Sequence, residues 1–500
     1  MLEDDPAPFE PYDPGEYDVD ELSGRSGRNC LFSAIVLLLV VSLAGSSLIT
    51  YFLWMHRGGR SDGGTDEAVV WEPTAAPATV MASVPTPAAT REPESAGPAL
   101  EVNRIAVINN DGQLETMAPD GSDRHVLTLA SDDMSFQFPA WAPDSRRVAV
   151  IGSKPAGSGI YVLDDIARVG ALNDDRIYFT TDRAPLYLFW APDGARLAFL
   201  ADHPFSTMSL NVIADDGVDA GRLLATGAPF YWDWSEDSQR LLIHSGGERS
   251  DDTLSLIDLE GVTQANNLAV PGHFRAPGIG RDGQYWAFAE QLEGGLSALV
   301  VVNTATGERT TYDQSGSMTM SWNPKRNQIA FTRGAIDGYP YWGPLQLLDI
   351  ETGETRILSR QTVLAFFWSP DGRSIAFITP GRDNGDDGVN ASVPRASMAG
   401  RVGRLPVQQF SRGFLTLSVI DAETGRGLRL LDFEPTIVYL SQFLPFFDQY
   451  ALSHRIWSPD SSSIVLPVRE ADGDMVLVIP AAGGRPYRLA DGEIAFWSHK

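Results

Sequence analysis

From about residue 101 the chain is written in short apolar runs separated by polar turns. An apolar triplet opens seven positions after a Trp-type residue in copy after copy: Val148-Ala-Val, Leu197-Ala-Phe, Leu241-Leu-Ile, Trp286-Ala-Phe, Ile329-Ala-Phe, Ile375-Ala-Phe and Ile464-Val-Leu. The Trp-type positions are Trp141, Trp190, Trp234, Ile279, Trp322, Trp368, Trp457 and Trp497. Between each and its triplet lies a turn, clearest at Trp368-Ser-Pro-Asp-Gly372. Pro presets φ, Asp bonds backbone amides within the turn, and Gly or Ser tolerates the exit geometry. The triplet suits a buried, pleated strand. Second runs such as Leu415-Thr-Leu-Ser-Val-Ile follow, then Asp421-Ala-Glu-Thr-Gly425 and a fourth short strand.

Four short strands every 40–50 residues is the pattern of a β-propeller blade. One interval, from Trp368 to Trp457, is twice the usual length. It holds one triplet and one second strand, so it reads as one blade with insertions near 380–412 and 433–455. The chain stops just after Trp497, and Ile105-Ala-Val107 with Gln113–Met117 supplies the strands the last blade lacks. The expectation is an all-β fold of eight blades, or seven if the Ile279 unit merges with a neighbour.

The first hundred residues break this pattern. Residues 1–28 are rich in Asp, Glu, Pro and Gly and read as an acidic disordered tail. Residues 29–55 contain an uncharged run, 31–55, with Tyr51 and Trp54 near its end, and read as one transmembrane helix. Nine acids in the preceding 30 residues argue against a cleaved signal. Residues 56–100 are a Pro/Ala/Thr-rich linker. Arg25 and Arg28 balance Arg57 and Arg60 across the run, so Lys and Arg leave orientation open. The arrangement expected is a single-pass membrane protein, N-terminus cytoplasmic and propeller (101–500) extracytoplasmic.

Charge and composition narrow the partners. A net charge of −27 repels phosphates and argues against nucleic acid. The single cysteine, Cys30, excludes a disulfide framework and a Cys-based metal site within one chain.

The repeats resemble those of TolB-like propellers, whose units carry W-S-P-D-G-x-x-I-A-F followed by an I-Y-V-x-D strand. Trp368–Phe377 matches throughout; Trp190-Ala-Pro-Asp-Gly and Trp457-Ser-Pro-Asp-Ser match nearly as well. Ile279 and Lys325, where the turn acid is expected, are the departures. The resemblance covers about 101–500 and implies the fold. It occurs in envelope protein-binding subunits, in the propeller halves of prolyl-oligopeptidase-like peptidases and in lyases of acidic sugars, so it selects no activity.

Catalytic signatures are missing from the sequence. There is no Gly-x-Ser-x-Gly elbow, no HExxH and no His-x-x-x-His pair. Asp383–Gly388 is an acidic loop without the ligand spacing of a calcium site. No cofactor is expected. Strand alternation places the Pro-Asp-Gly and Glu-Thr-Gly turns on one face, here the turn face. The long and aromatic loops fall on the opposite, loop face. The candidate binding residues are Tyr339, Tyr341, Trp342, Phe446, Phe447, Tyr450 and His454, joined by His203-Pro-Phe205 and Phe230-Tyr-Trp232. The leading expectation is a non-catalytic, membrane-anchored module binding a protein or small ligand on that face in the cell envelope. The alternatives are an enzyme or carbohydrate-binding propeller with a central-channel site, to which His273, Arg275 and His454 would contribute, and a transmembrane signalling protein with an acidic cytoplasmic tail.

Overall fold

A computed structural model describes residues 103–500, apart from 168–171, 204–206, 219–220, 229, 247–252, 266–267, 273–275, 293–295, 316, 335–340 and 382–413. The strands form eight antiparallel sheets. Blade 1 opens on Ser135–Trp141, blade 2 on Pro185–Trp190, blade 3 on Phe230–Trp234 and blade 4 on Gly278–Ile279. Blade 5 opens on Met318–Trp322 and blade 6 on Ala365–Trp368. Blade 7 keeps three full strands, and its inner edge is one bridge, Trp457 to Ile464. Blade 8 combines Ile494–Trp497 with Ile105–Ile108, Leu114–Met117 and His125–Val126. The ring therefore closes as expected, Ile105 opposite Trp497 and Ile108 opposite Ile494. At this seam Arg104 reaches Asp165 of blade 1 and Asp123, each at 2.6 Å.

The repeat residues have distinct jobs. Each Trp packs on the preceding blade, and five indole N–H groups donate to that blade's inner strand. Trp141 bonds Phe496 O (3.2 Å), Trp190 bonds Ala140 O (2.9 Å) and Trp234 bonds Phe189 O (3.4 Å). Trp368 bonds Ser321 O and Trp457 bonds Phe367 O, both at 3.1 Å. In the turn, Ser369 Oγ donates to Asp371 Oδ1 (2.6 Å), and Asp371 Oδ1 accepts Arg373 N–H. The next residue is left-handed: Gly194, Gly283 and Gly372, or Ser145, Ser238 and Ser461. Where it is Ser, its hydroxyl accepts an N–H from the preceding blade, as Ser238 does from Asp193 and Ser461 from Asp371. That bond offsets the strain of a non-glycine residue at positive φ. Blade 5 departs because Asn323 Oδ1 caps the Lys325 and Arg326 amides, which frees position 325 from needing an acid.

Blade 4 is a full blade despite its Ile279. Trp322 of blade 5 lies on its inner strand: a Cβ on Gly278 would stand 2.6 Å from the indole, and one on Gly280 3.2 Å away. The glycines make room for that ring.

The first insertion of blade 6 and the expected helix at 31–55 lie outside the described residues. Among the described residues no helix is long and apolar enough to cross a membrane. Among the described residues the longest helical stretch, Tyr439–Ser453, is broken into segments of 5, 3 and 7 residues. At 1.5 Å per residue the longest piece spans roughly a third of a bilayer core. The expectations of a transmembrane helix and of a single-pass protein with an extracytoplasmic propeller are corrected on that finding; the expected membrane contact through 31–55 lies outside the described residues.

Candidate functional site

The second insertion of blade 6 does not hang over a blade edge; it fills the centre of the ring. It starts at Pro435 and Thr436, tied to Val468 and Glu493 O. It crosses the channel as Tyr439–Ser453 and returns into blade 7 at Arg455. We call residues 436–453 the plug.

The inner strands of a propeller leave backbone groups facing the channel, and unpaired edges need partners. The plug supplies them. Gln449 Oε1 accepts Trp232 N–H (2.8 Å) and its Nε2 donates to Trp232 O (2.9 Å), as a neighbouring strand would. Asp448 Oδ2 accepts Ala276 N–H at 2.9 Å. Tyr187 Oη donates to Gln449 O at 3.0 Å and lies 2.5 Å from Ser453 Oγ. Aromatic rings fill the remaining space. Tyr450 stacks on Phe138 and meets Tyr187 edge-on, and Phe447 meets Phe366 and Phe367. Phe443 stacks on Phe367 and Tyr439 and also touches Phe496. The plug thus touches blades 1 to 6 and blade 8.

This geometry sorts the candidate residues. Phe447, Tyr450 and His454 are 1%, 6% and 2% exposed, so their side chains form the plug's core and are withheld from any partner. Phe446 is half-buried at the plug's outer side. Tyr341 is buried, its carbonyl accepting Thr332 Oγ1–H, and Trp342 is half-buried against it, edge-on at 5.9 Å. Tyr339, His273, Arg275 and the Asp383–Gly388 loop lie outside the described residues. Phe230, Tyr231 and Trp232 form the inner strand of blade 3 and are buried, which corrects their reading as a loop.

Ser453 Oγ and His454 Nδ1 stand 2.6 Å apart, the spacing of a nucleophile and its base. Both are buried where the plug ends and the chain turns into blade 7. Burial also pushes the imidazole down to about 3, which leaves a poor base at neutral pH. The pair is an internal hydrogen bond. Among the described residues no three His, Cys, Asp or Glu gather in a way that could hold a metal.

Among the described residues two charged side chains, Asp233 and Arg455, stand on inner strands. Asp233 stands one residue before Trp234, where other blades carry residues such as Ala140, Phe189 and Phe496. Its Oδ2 accepts Ile279 N–H and its Oδ1 accepts Trp234 N–H, both at 2.9 Å. It thus joins blade 3 to the one blade whose missing Trp cannot make the inter-blade bond. The residue is half-buried, but its carboxyl is withdrawn from water, and burial raises it to about 7 against two backbone donors that lower it. A lone acid inside an apolar strand was the signal available.

No family model matches the chain, and no curated protein matches it. Among solved structures it is similar to TolB from Agrobacterium tumefaciens, with 17% identity, TM-score 0.34, and 52% of this chain and 89% of that one covered. It is also similar to oligogalacturonate lyase from Vibrio parahaemolyticus, with 13% identity, TM-score 0.42 and coverage of 72% and 85%. The propeller domain of the Trilobed protease from Pyrococcus furiosus gives 12% identity, TM-score 0.41 and coverage of 72% and 96%. At these identities the likenesses show the fold alone; enzymes and a TolB protein stand side by side among them.

Proposed function

We propose that this propeller is a non-catalytic binding module that docks a protein partner on its loop face, centred on the plug. The supporting observation is the two-sidedness of the plug. Its inward residues are buried and bonded to the inner strands. Its outward side keeps apolar residues in contact with water: Ile437 is 62% exposed, and Leu440, Phe446 and Leu452 are half-buried. Apolar groups kept in contact with water at the centre of a face are the composition of the core of a docking surface. A plugged channel weighs against the enzyme or carbohydrate-binding alternative, since a ligand entering from the loop face would first have to displace buried aromatic rings. The test compares crosslinked capture by the wild-type chain with capture by Ile437→Asp and Phe446→Asp, both chosen at the plug's outer side. Loss of the same partner from both variants is expected; an unchanged partner set refutes the loop-face site.

A further inference from the structure

The second unexpected charge, Arg455, lies on the other side of the plug. It precedes Ile456 and Trp457 on the inner edge of blade 7, where its carbonyl accepts Trp497 N–H at 2.8 Å. Its Nη1 donates to His499 O at 3.3 Å. His499 belongs to the segment that runs past Trp497 onto the turn face, where its N–H bonds Ser145 Oγ (2.9 Å) and its ring reaches Trp141 O (3.0 Å). The guanidinium therefore stands at the turn-side mouth of the channel.

A guanidinium offers five N–H donors and is matched by a carboxylate or phosphate held across its fork. Arg455 makes one long bond to a neutral carbonyl and has no carboxylate within ion-pairing distance among the described residues. Other arginines of the propeller do have such partners: Arg104, Arg147, Arg240, Arg429 and Arg469 all pair with Asp. A charge without an ion-pair partner and largely withdrawn from water is costly, and such groups cluster at binding sites. Burial pulls this guanidinium down to about 10. The nearby His499 ring is pushed down to about 3 by burial and by the Arg455 charge, with Lys500 adding to the effect. Arg455 remains half-buried rather than sealed, so a small group can reach it.

We propose that Arg455 is an anion-binding site at the turn-side mouth of the channel, taking one carboxylate or phosphate group of a ligand that enters opposite the plug. The site is independent of the loop-face docking surface. The test is a thermal-unfolding titration of the full chain in zwitterionic buffer, with acetate in one arm and inorganic phosphate in the other, at constant ionic strength held with sodium chloride. The wild-type Tm is expected to rise with one or both probes at millimolar concentration, and the stronger arm names the group. Arg455→Met should match or exceed the wild-type Tm without probe and lose the probe response. Arg455→Lys keeps the charge, loses the fork, and should bind at least tenfold more weakly. An equal rise in wild type and Arg455→Lys, or a rise in wild type no greater than with sodium chloride alone, overturns the proposal. A fall in Arg455→Met stability that no probe affects in wild type would make the residue purely structural and overturn it as well.

Discussion

Replacing Asp233 by Asn separates two forces that oppose each other at one seam. The carboxylate accepts two backbone N–H groups, which favours its charged form, while burial disfavours it. The balance raises it from 3.8 to about 7. The sign follows. In the folded chain Asp233 holds its proton through a range where the unfolded chain has released it. Its contribution to stability is therefore full below about pH 4 and is lost as pH rises toward 7. Three pH units correspond to about 4 kcal/mol in all, of which roughly 3 kcal/mol falls between pH 4.5 and pH 8. Because the residue is half-buried, solvent screening reduces this to about 1–3 kcal/mol. Asn keeps an oxygen for the Ile279 N–H and cannot ionise. Asp233→Asn should thus gain about 1–3 kcal/mol on wild type between pH 4.5 and pH 8. The assay is urea unfolding followed by Trp fluorescence at several pH values in that window. Asp202 and Glu493 are raised by burial too, but they are present in both proteins and cancel in the difference. A difference that does not change with pH, or a wild type that gains as pH rises, would show that the backbone donors outweigh burial.

Two further substitutions probe the turn and the plug. Gly372→Ala places a Cβ 2.3 Å from Asn323 Oδ1 at a φ of +68°, in the turn that accepts the Asn323 amide. It should cost about 1–3 kcal/mol in chemical denaturation, and Gly425→Ala, which meets nothing within 4 Å at a φ of +70°, should cost less; equal losses would deny the steric part. Gln449→Leu removes both bonds to Trp232 and leaves a buried N–H and C=O unpaired, a loss of about 2–4 kcal/mol. An unfolding midpoint within error of wild type would mean that the plug does not complete the inner edge of blade 3.

The ring was legible because its signals are local. A Trp, a Pro-Asp-Gly turn and an apolar triplet at constant spacing carry hairpin geometry within a dozen residues, and Ile105–Val107 opposite Trp497 follows from counting strands. Ile279 could be read through because its Asp282-Gly283 turn survived the loss of Trp. The plug was not legible, for a physical reason. Phe443-Leu-Pro-Phe-Phe-Asp-Gln-Tyr450 has the same aromatic content whether it lies over a face or inside a channel. What distinguishes the two is where Asp448 and Gln449 find partners, and those partners, Ala276 and Trp232, lie more than 170 residues away.

The same contrast explains Asp233 and Arg455. Both interrupt apolar inner strands, and each looked unremarkable as a single residue. Asp233 acquires meaning only beside Ile279: where a blade has no Trp to donate to its predecessor, the predecessor sends a carboxylate forward to the blade's own backbone. Arg455 has no such neighbour among the described residues. Among the described residues the inner-strand acid, Asp233, is already committed to Ile279 and Trp234, and the plug's acid, Asp448, to Ala276. A ring that compensates a missing Trp with so specific a bond leaves the half-buried Arg455 guanidinium without a carboxylate partner among the described residues. That asymmetry directs the search for a small ligand to the turn face, while the exposed side of the plug directs the search for a protein to the other.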